Sequence, residues 1–337
     1  MAIKPTPFIW HNGRYVPWEE ATVHLLAHGL HYGSSLFEGI RSYATPRGPM
    51  FFRLTDHLQR LTDSARIYGM QIPYSPAEMN AACRGVVTRN QLTNSYLRPI
   101  VYRGAGSLSL FPSADTPVEA AVAAIEWGPY LGQEALDKGV EVCVSSWTRP
   151  APNTLPMLAK AGGHYLSGQL IAGEAARHGY AEGIALDAQG HLSEGAGENL
   201  FLVKKEVLYT TPLACSILQG ITRDSVLTLA KSLGFRVEER TLPREFLYVA
   251  DEAFFTGTAV EITPIRSVDR IAVGDGTPGP VTRALQKAFF GLFTHPAKDH
   301  WHWLEPVSEE APTSPDAVSF ASSSPIKSMP ETALACQ

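Results

Sequence analysis

Cysteine is scarce in this 337-residue chain: Cys83, Cys143, Cys215 and Cys336 lie far apart and never as a CxxC pair. Such spacing suits neither a zinc site nor a small disulfide framework, and it reads as reduced thiols in a cytoplasmic protein. Basic residues are not in excess, 28 Lys and Arg against 33 Asp and Glu for a formal charge of -5, which argues against nucleic acid or an anionic membrane surface as partner. No apolar run is long enough for a membrane span. Met1 to Trp10 lacks the basic start and apolar stretch of a signal peptide. Also missing are a GxGxxG turn, a Gly-Lys phosphate loop, an HExxH pair, a nucleophile elbow, a Ser-His-Asp arrangement and any internal repeat.

What the chain does have is ample core material, 45% hydrophobic against 18% charged residues, at a length that favours two domains. Phe8–Trp10 and Tyr15–Trp18 flank His11-Asn12-Gly13 and predict a hairpin. Leu58, Leu61 and Ala65 give helical spacing to Asp56–Tyr68. Ser75, Pro76 and Glu78 spell a capping box for a helix reaching about Asn90. Tyr96–Arg103 and Ala120–Glu126 read as strands. Further on, strands at Glu141–Trp147, Gly183–Asp187 and Glu252–Phe255 alternate with helices at Gly163–His178 and Ile221–Leu233. The expected class is α/β, with α+β character in the smaller domain and a cleft between the two. The expected division is 1–128 for a small N-terminal domain, 129–138 for an interdomain loop and 139–308 for a large domain. The Ser- and Pro-rich 309–337 segment is expected to be a disordered tail.

Three segments carry candidate chemistry. In PNTLPMLAKAGGHY, Lys160 stands alone among small and apolar residues before a predicted helix. Burial favours the neutral amine, the form that makes a Schiff base, although a lysine snorkelling from a loop end fits the same pattern. In GHLSEGAGENLF, Gly195 and Gly197 let Glu194 approach a flat ligand closely, and a carboxylate there can keep a pyridine nitrogen protonated. A turn with Glu194 facing solvent is the alternative. In QGITRDS, a helix opens on free N–H groups that suit an anion, with Thr222 adding a donor; a plain helix cap is the other reading. Thr256-Gly-Thr-Ala259 is a similar polar turn, and Arg60 has the reach to close a phosphate site.

His24, His28 and His31 fall at the spacing of one helix face, but no carboxylate or cysteine accompanies them at ligand spacing, so no metal is expected. His300 and His302 alternate with Trp301 and Trp303 and read as packing residues.

Taken in order, HGLHYGSSLFEGIR (His28 to Arg41), APNTLPMLAKAGGHY, EGIALDAQGHLSEGAGENLF and LQGITRD resemble the branched-chain amino acid aminotransferases, a group of the fold-type-IV pyridoxal-phosphate enzymes. The resemblance runs from about Phe8 to Leu304. It implies transamination of L-leucine, L-isoleucine and L-valine with 2-oxoglutarate, by a ping-pong route through a Schiff base on Lys160. Tyr165 would hydrogen-bond the phenolic oxygen of pyridoxal 5'-phosphate and Glu194 would pair with its ring nitrogen. Arg60, Ile221, Thr222 and Thr258 would hold its phosphate. Tyr96 and the amides of Thr258 and Ala259 would meet the substrate α-carboxylate. Phe37, Trp127, Tyr130 and Tyr165 would wall an apolar pocket, and Arg98 would pair with the distal carboxylate of glutamate. Burial of an aliphatic side chain in such a slot is worth roughly 1.5–3 kcal/mol.

Tyr32 and Leu110 would reach in from a neighbouring subunit, so the resemblance also implies a homo-oligomer. The Gly104–Leu110 stretch is bulkier and richer in serine than is usual in the group, which puts the preference among the three aliphatic substrates in question. D-amino acid aminotransferases and aminodeoxychorismate lyases share the fold; Tyr96-Leu97-Arg98 and the EGIR and PNTLP stretches favour the branched-chain group. A silent cofactor-binding protein is expected to have lost Lys160, Glu194 or Arg60, and all three are present.

Overall fold

The computed structural model describes residues 3–113, 115–128 and 131–308. Tyr130 and the 309–337 segment lie outside the described residues.

The N-terminal hairpin pairs Phe8–His11 with Arg14–Pro17, and its turn is the two residues Asn12 and Gly13, both at positive φ. The turn is one residue tighter than the sequence suggests, because Asn-Gly alone supplies the left-handed pair that a two-residue hairpin needs. The hairpin edges an eight-stranded antiparallel sheet. In that sheet Ser95–Arg103 and Val118–Glu126 run side by side over nine residues each. Helix Leu54–Ile67 turns His57, Leu58, Leu61, Ser64 and Ala65 into the core, and helix Pro76–Arg89 starts on the expected Ser75–Glu78 capping box.

Nine strands form the second sheet. It is mixed: Val140–Val144 lies parallel to both Glu182–Leu186 and Glu261–Val268, whereas Glu252–Gly257 pairs antiparallel with Asn199–Lys204 and with Glu261–Val268. Helices Tyr165–Arg177, Ile221–Ser232 and Pro280–Thr294 pack against it. The stretch read as an interdomain loop contains a short helix, Gln133–Lys138, because Ala135 and Leu136 bury against this second sheet. Past the last long helix the chain returns, and Leu304–Pro306 adds a strand to the first sheet beside Gly48–Phe52.

The two sheets meet through an apolar seam. Tyr43 and Phe52 of the first sheet pack with Phe289, Phe293 and Trp303, and the Tyr43 and Phe293 rings stack at 3.7 Å. A buried Arg41–Glu261 ion pair at 2.9 Å crosses the same seam, with the Tyr43 hydroxyl donating to Glu261 at 3.0 Å. Only His28 and His31 of the three early histidines are helical. His28 bonds Ser34 and the Ser109 carbonyl, and His31 bonds the Leu25 carbonyl, so local loop contacts occupy their rings.

Candidate active site

Backbone pairing fixes Lys160 before its side chain does anything. The Lys160 N–H donates to Ser64 Oγ at 3.0 Å on helix Leu54–Ile67, and its carbonyl accepts from the Phe37 N–H at 3.1 Å. A short 3-10 turn, Gly162–His164, then leads into helix Tyr165–Arg177, so Tyr165 begins a helix next to Lys160. The Lys160 Nζ donates to the Tyr165 hydroxyl oxygen at 2.6 Å and sits 4.9 Å from the Phe37 ring centre.

Glu194 faces the same space from strand Leu192–Gly195. One of its oxygens takes the Arg149 guanidinium at 2.7 Å, and the other accepts from Asn199 Nδ2 at 3.0 Å and the Leu218 N–H at 3.1 Å. Burial raises the Glu194 carboxyl above its ordinary range, and Arg149 and the Leu218 N–H pull against that rise. Arg149 is itself buried and also donates to the carbonyls of Gly195 and Ala196.

At the other end, Arg60 forks onto Glu38 at 2.7 and 2.8 Å and donates its remaining arm to the Gln219 carbonyl at 2.9 Å. Glu38 is fully buried and also accepts from His57 Nδ1 at 2.7 Å, which places the imidazole proton on that nitrogen. Burial works to raise the Glu38 carboxyl, but Arg60 and then His57 overcome it and hold the group far below the usual carboxylate range. Burial keeps the His57 ring below the ordinary histidine range, hence neutral.

The Gln219 carbonyl leads into helix Ile221–Ser232, whose N-cap Gly220 provides no side-chain cap, so the first helical amides lack that partner. Gly220 is required by close approach, since a Cβ there would lie 1.9 Å from Asn199 Oδ1. Nearby, the Thr256 hydroxyl is buried with no hydrogen-bond partner among the described residues.

Aromatic residues form the remaining wall. Tyr96 and Trp127 lie 4.9 Å apart, Phe37 and Tyr165 4.8 Å apart, and the Arg98 guanidinium covers the Phe37 face at 4.6 Å. Arg98 also donates to the Tyr96 hydroxyl at 3.2 Å. A Cβ at position 39 would sit 1.9 Å from that hydroxyl, so the glycine of Glu38-Gly39 leaves room for Tyr96 to enter.

Lys160, Tyr165, Glu194, Arg149, Arg60 and the aromatic wall line one cavity of ≈ 370 Å³ between the two sheets, with Glu38 and His57 behind Arg60. Of the residues expected from the sequence, Phe37, Arg60, Tyr96, Arg98, Trp127, Lys160, Tyr165, Glu194, Ile221, Thr222, Thr258 and Ala259 all face it. Tyr32 and Leu110 do not line it. They are exposed, Tyr32 at the end of helix His28–Tyr32 and Leu110 on a loop, and the Tyr32 hydroxyl donates to the Leu108 carbonyl at 2.8 Å. Tyr130 lies outside the described residues.

Sequence reading missed Glu38 and Arg149. Glu38 had one signal, an acid between the apolar residues Leu36, Phe37 and Ile40, where a strand would bury it. Arg149 had none beyond its flanking proline.

The cavity fits a flat, anionic, carbonyl-bearing ligand. It offers a primary amine held on a phenol, a carboxylate opposite, small residues at Ala196 and Gly197, and at the far end a helix start, an unsatisfied hydroxyl and a guanidinium. Residues 35–268 match the family described as Amino-transferase class IV. The chain is 54% identical over 308 residues to the branched-chain-amino-acid aminotransferase of Salmonella typhimurium, covering 91% of this chain and 100% of that protein. Its structure superposes on the Escherichia coli branched-chain amino acid aminotransferase with a TM-score of 0.89 at 54% identity, over 90% of this chain and 100% of that one. The PLP form of the branched-chain amino acid aminotransferase from Thermobaculum terrenum gives a TM-score of 0.84 at 36% identity, over 90% and 99% of the two chains. Together with its fold and cavity, these likenesses make this chain a member of the class IV aminotransferase family, on its branched-chain amino acid branch.

Proposed function

We infer that the chain's pyridoxal-phosphate-dependent transamination of L-leucine, L-isoleucine and L-valine with 2-oxoglutarate runs on the residues gathered in this cavity. The observation that carries the assignment is the Lys160 amine hydrogen-bonded to Tyr165 at 2.6 Å, with Glu194 and Arg60 at opposite ends of the same space. When bound, pyridoxal 5'-phosphate supplies a carbonyl that takes up the substrate amine and a ring that stabilises negative charge at the substrate Cα.

Lys160 is the residue that would hold the cofactor covalently. Once free, its amine takes the proton from the substrate Cα and later returns one, which is general base and general acid work in a single group. Tyr165 fixes where that amine rests and would hydrogen-bond the phenolic oxygen. Glu194, braced by Arg149, Asn199 and the Leu218 N–H, would pair with the ring nitrogen. Arg60, the amides of Ile221 and Thr222, and Thr258 would hold the phosphate. Glu38 matters here because it fixes the guanidinium of Arg60 from behind.

On the substrate side, Tyr96 and the amides of Thr258 and Ala259 would take the α-carboxylate. Phe37, Trp127, Tyr130 and Tyr165 would surround the aliphatic side chain. Arg98, lying over Phe37, would turn its charge to the distal carboxylate of glutamate or 2-oxoglutarate. One pocket serves both partners, so the branched 2-oxo acid leaves before 2-oxoglutarate enters.

The active unit is a homo-oligomer in the cytoplasm. Leu25, Leu26, Leu30, Tyr32, Leu110 and Phe111 are all exposed, apolar surface on the segment of helix His28–Tyr32 and on the 108–111 loop, which Tyr32 ties together. Tyr32 and Leu110 would complete a neighbour's pocket from there. Among the described residues no helix is long and apolar enough to cross a membrane. An amino-donor assay with 2-oxoglutarate, run alongside sedimentation, tests the reading. Glutamate production from all three branched L-amino acids by an oligomer supports it. Production only from D-amino acids overturns the substrate assignment, and full activity in a monomer overturns the shared pocket.

A further inference from the structure

The cavity that holds the Glu194–Arg149 pair is also lined by Gly168, Gln169, Ala172 and two more carboxyl groups, Glu182 and Glu198. Both are buried. Glu182 opens strand Glu182–Leu186 and accepts from the Gly183 N–H at 2.7 Å. Glu198 precedes strand Asn199–Lys204 and accepts from the Gly197 N–H at 2.9 Å. Among the described residues neither carboxyl makes an ion pair of its own; the guanidinium in this part of the cavity, Arg149, bonds Glu194. The cavity adds two other titratable groups near the cluster, Lys160 and Tyr165, and the neighbouring strand adds Cys143, paired with Gly183 and held as a neutral thiol by burial; the lining part of helix Tyr165–Arg177 adds Gln169, which carries no charge.

Three carboxylates facing the Arg149 guanidinium and the Lys160 amine leave an uncompensated negative charge away from water, a costly arrangement. A single proton in the cluster removes that excess. The proton has three places to go, and its location decides whether Glu194 can serve as an anion. Resting on the functional reading above, we propose that Glu182 and Glu198 share this proton and act as positioning residues, leaving Glu194 ionised against the cofactor's ring nitrogen. With the pair holding one negative charge and Glu194 another, Arg149 and a protonated ring nitrogen bring the site to neutrality. Burial and then Glu198 push the Glu182 carboxyl up to about 8, in keeping with a proton held at neutral pH. Burial also raises Glu198.

The test is infrared spectroscopy of the protein with and without pyridoxal phosphate at neutral pH. The expected result is a carbonyl stretch of a protonated carboxylic acid that moves in heavy water. It is present in both forms and absent from Glu182→Gln and from Glu198→Gln, because one remaining carboxylate no longer needs the proton. No such band in the wild type, or a band that survives both substitutions and disappears only in Glu194→Gln, overturns the proposal. Should one glutamine variant fail to fold, loss or survival of the band in the other still decides.

A titration of the bound cofactor's visible absorbance provides a second readout. Each single variant keeps the pair's net charge and should titrate with the wild type, whereas the double variant loses one negative charge and should titrate about one pH unit lower. Equal stepwise shifts in the single and double variants contradict a shared proton. Protein that binds no pyridoxal phosphate at all fails the functional reading instead, and the cofactor-free spectra still decide the carboxyl pair.

Discussion

The amine of Lys160 and the hydroxyl of Tyr165 are 2.6 Å apart, five residues apart in sequence, and both point into the cavity between the two sheets. The 3-10 turn at Gly162–His164 sets that separation by bringing the start of the next helix back beside the lysine. The contact gives the nucleophile a defined resting place without a fixed opposite charge to neutralise it.

Lys160→Ala should abolish covalent cofactor attachment and lower kcat/KM by about a thousandfold or more, at the upper end of what a general acid–base group contributes. Borohydride reduction followed by mass spectrometry reads the first effect and steady-state assay the second. Attachment at another lysine, with turnover intact, removes Lys160 from its role. Tyr165→Phe keeps the ring and loses one hydrogen bond to a charged group, so a fall of roughly ten- to a hundredfold is expected.

Glu38 links the site to stability. Its carboxyl ionises at far lower pH in the folded chain than in the unfolded one. The stabilisation is therefore complete above the unfolded glutamate range, near about 4.3, and is lost as pH falls toward the folded value. Glu38→Gln should lower stability at pH 7 by about 3–5 kcal/mol, the usual cost of breaking a buried pair, and should flatten the acid side of the stability profile. Urea midpoints at several pH values measure both. An unchanged acid slope in the variant shows that Glu38 is not the group responsible.

Arg98→Ala should separate the two substrate classes. Arg98 is exposed on its strand, so water screens the lost pair, and kcat/KM for glutamate and 2-oxoglutarate should drop by about fivefold. Leucine, which meets Arg98 only through the Phe37 wall, should lose less than about twofold. Matched losses for leucine and glutamate deny Arg98 any role at the distal carboxylate.

The parts of this site that could be read from the sequence are those whose neighbours in the chain are also neighbours in space. Lys160 and Tyr165, Glu194 with its glycines, and the Gly220–Thr222 helix start each sit within one short segment. Local capping and turn chemistry likewise placed the Ser75–Glu78 box and the Asn12-Gly13 hairpin. What escaped depends on distant partners. Glu38 acquires meaning only when helix Leu54–Ile67 brings His57 and Arg60 against it, and Arg149 only when Glu194 arrives from 45 residues downstream. The strand Leu304–Pro306 joins the first sheet across about 250 residues of sequence, a pairing that no local periodicity encodes. The Gln133–Lys138 helix was hidden by its Gly-flanked, polar composition, and only burial of Ala135 and Leu136 reveals it.

The most direct test of the account is the absorption spectrum of the purified, cofactor-loaded protein before and after addition of L-leucine, L-glutamate or D-alanine, with no acceptor present. Conversion to the aminated cofactor by L-leucine and by L-glutamate, reversed by 2-oxoglutarate and not produced by D-alanine, is the predicted result. A bound cofactor that responds to D-alanine alone, or to none of the three, contradicts it.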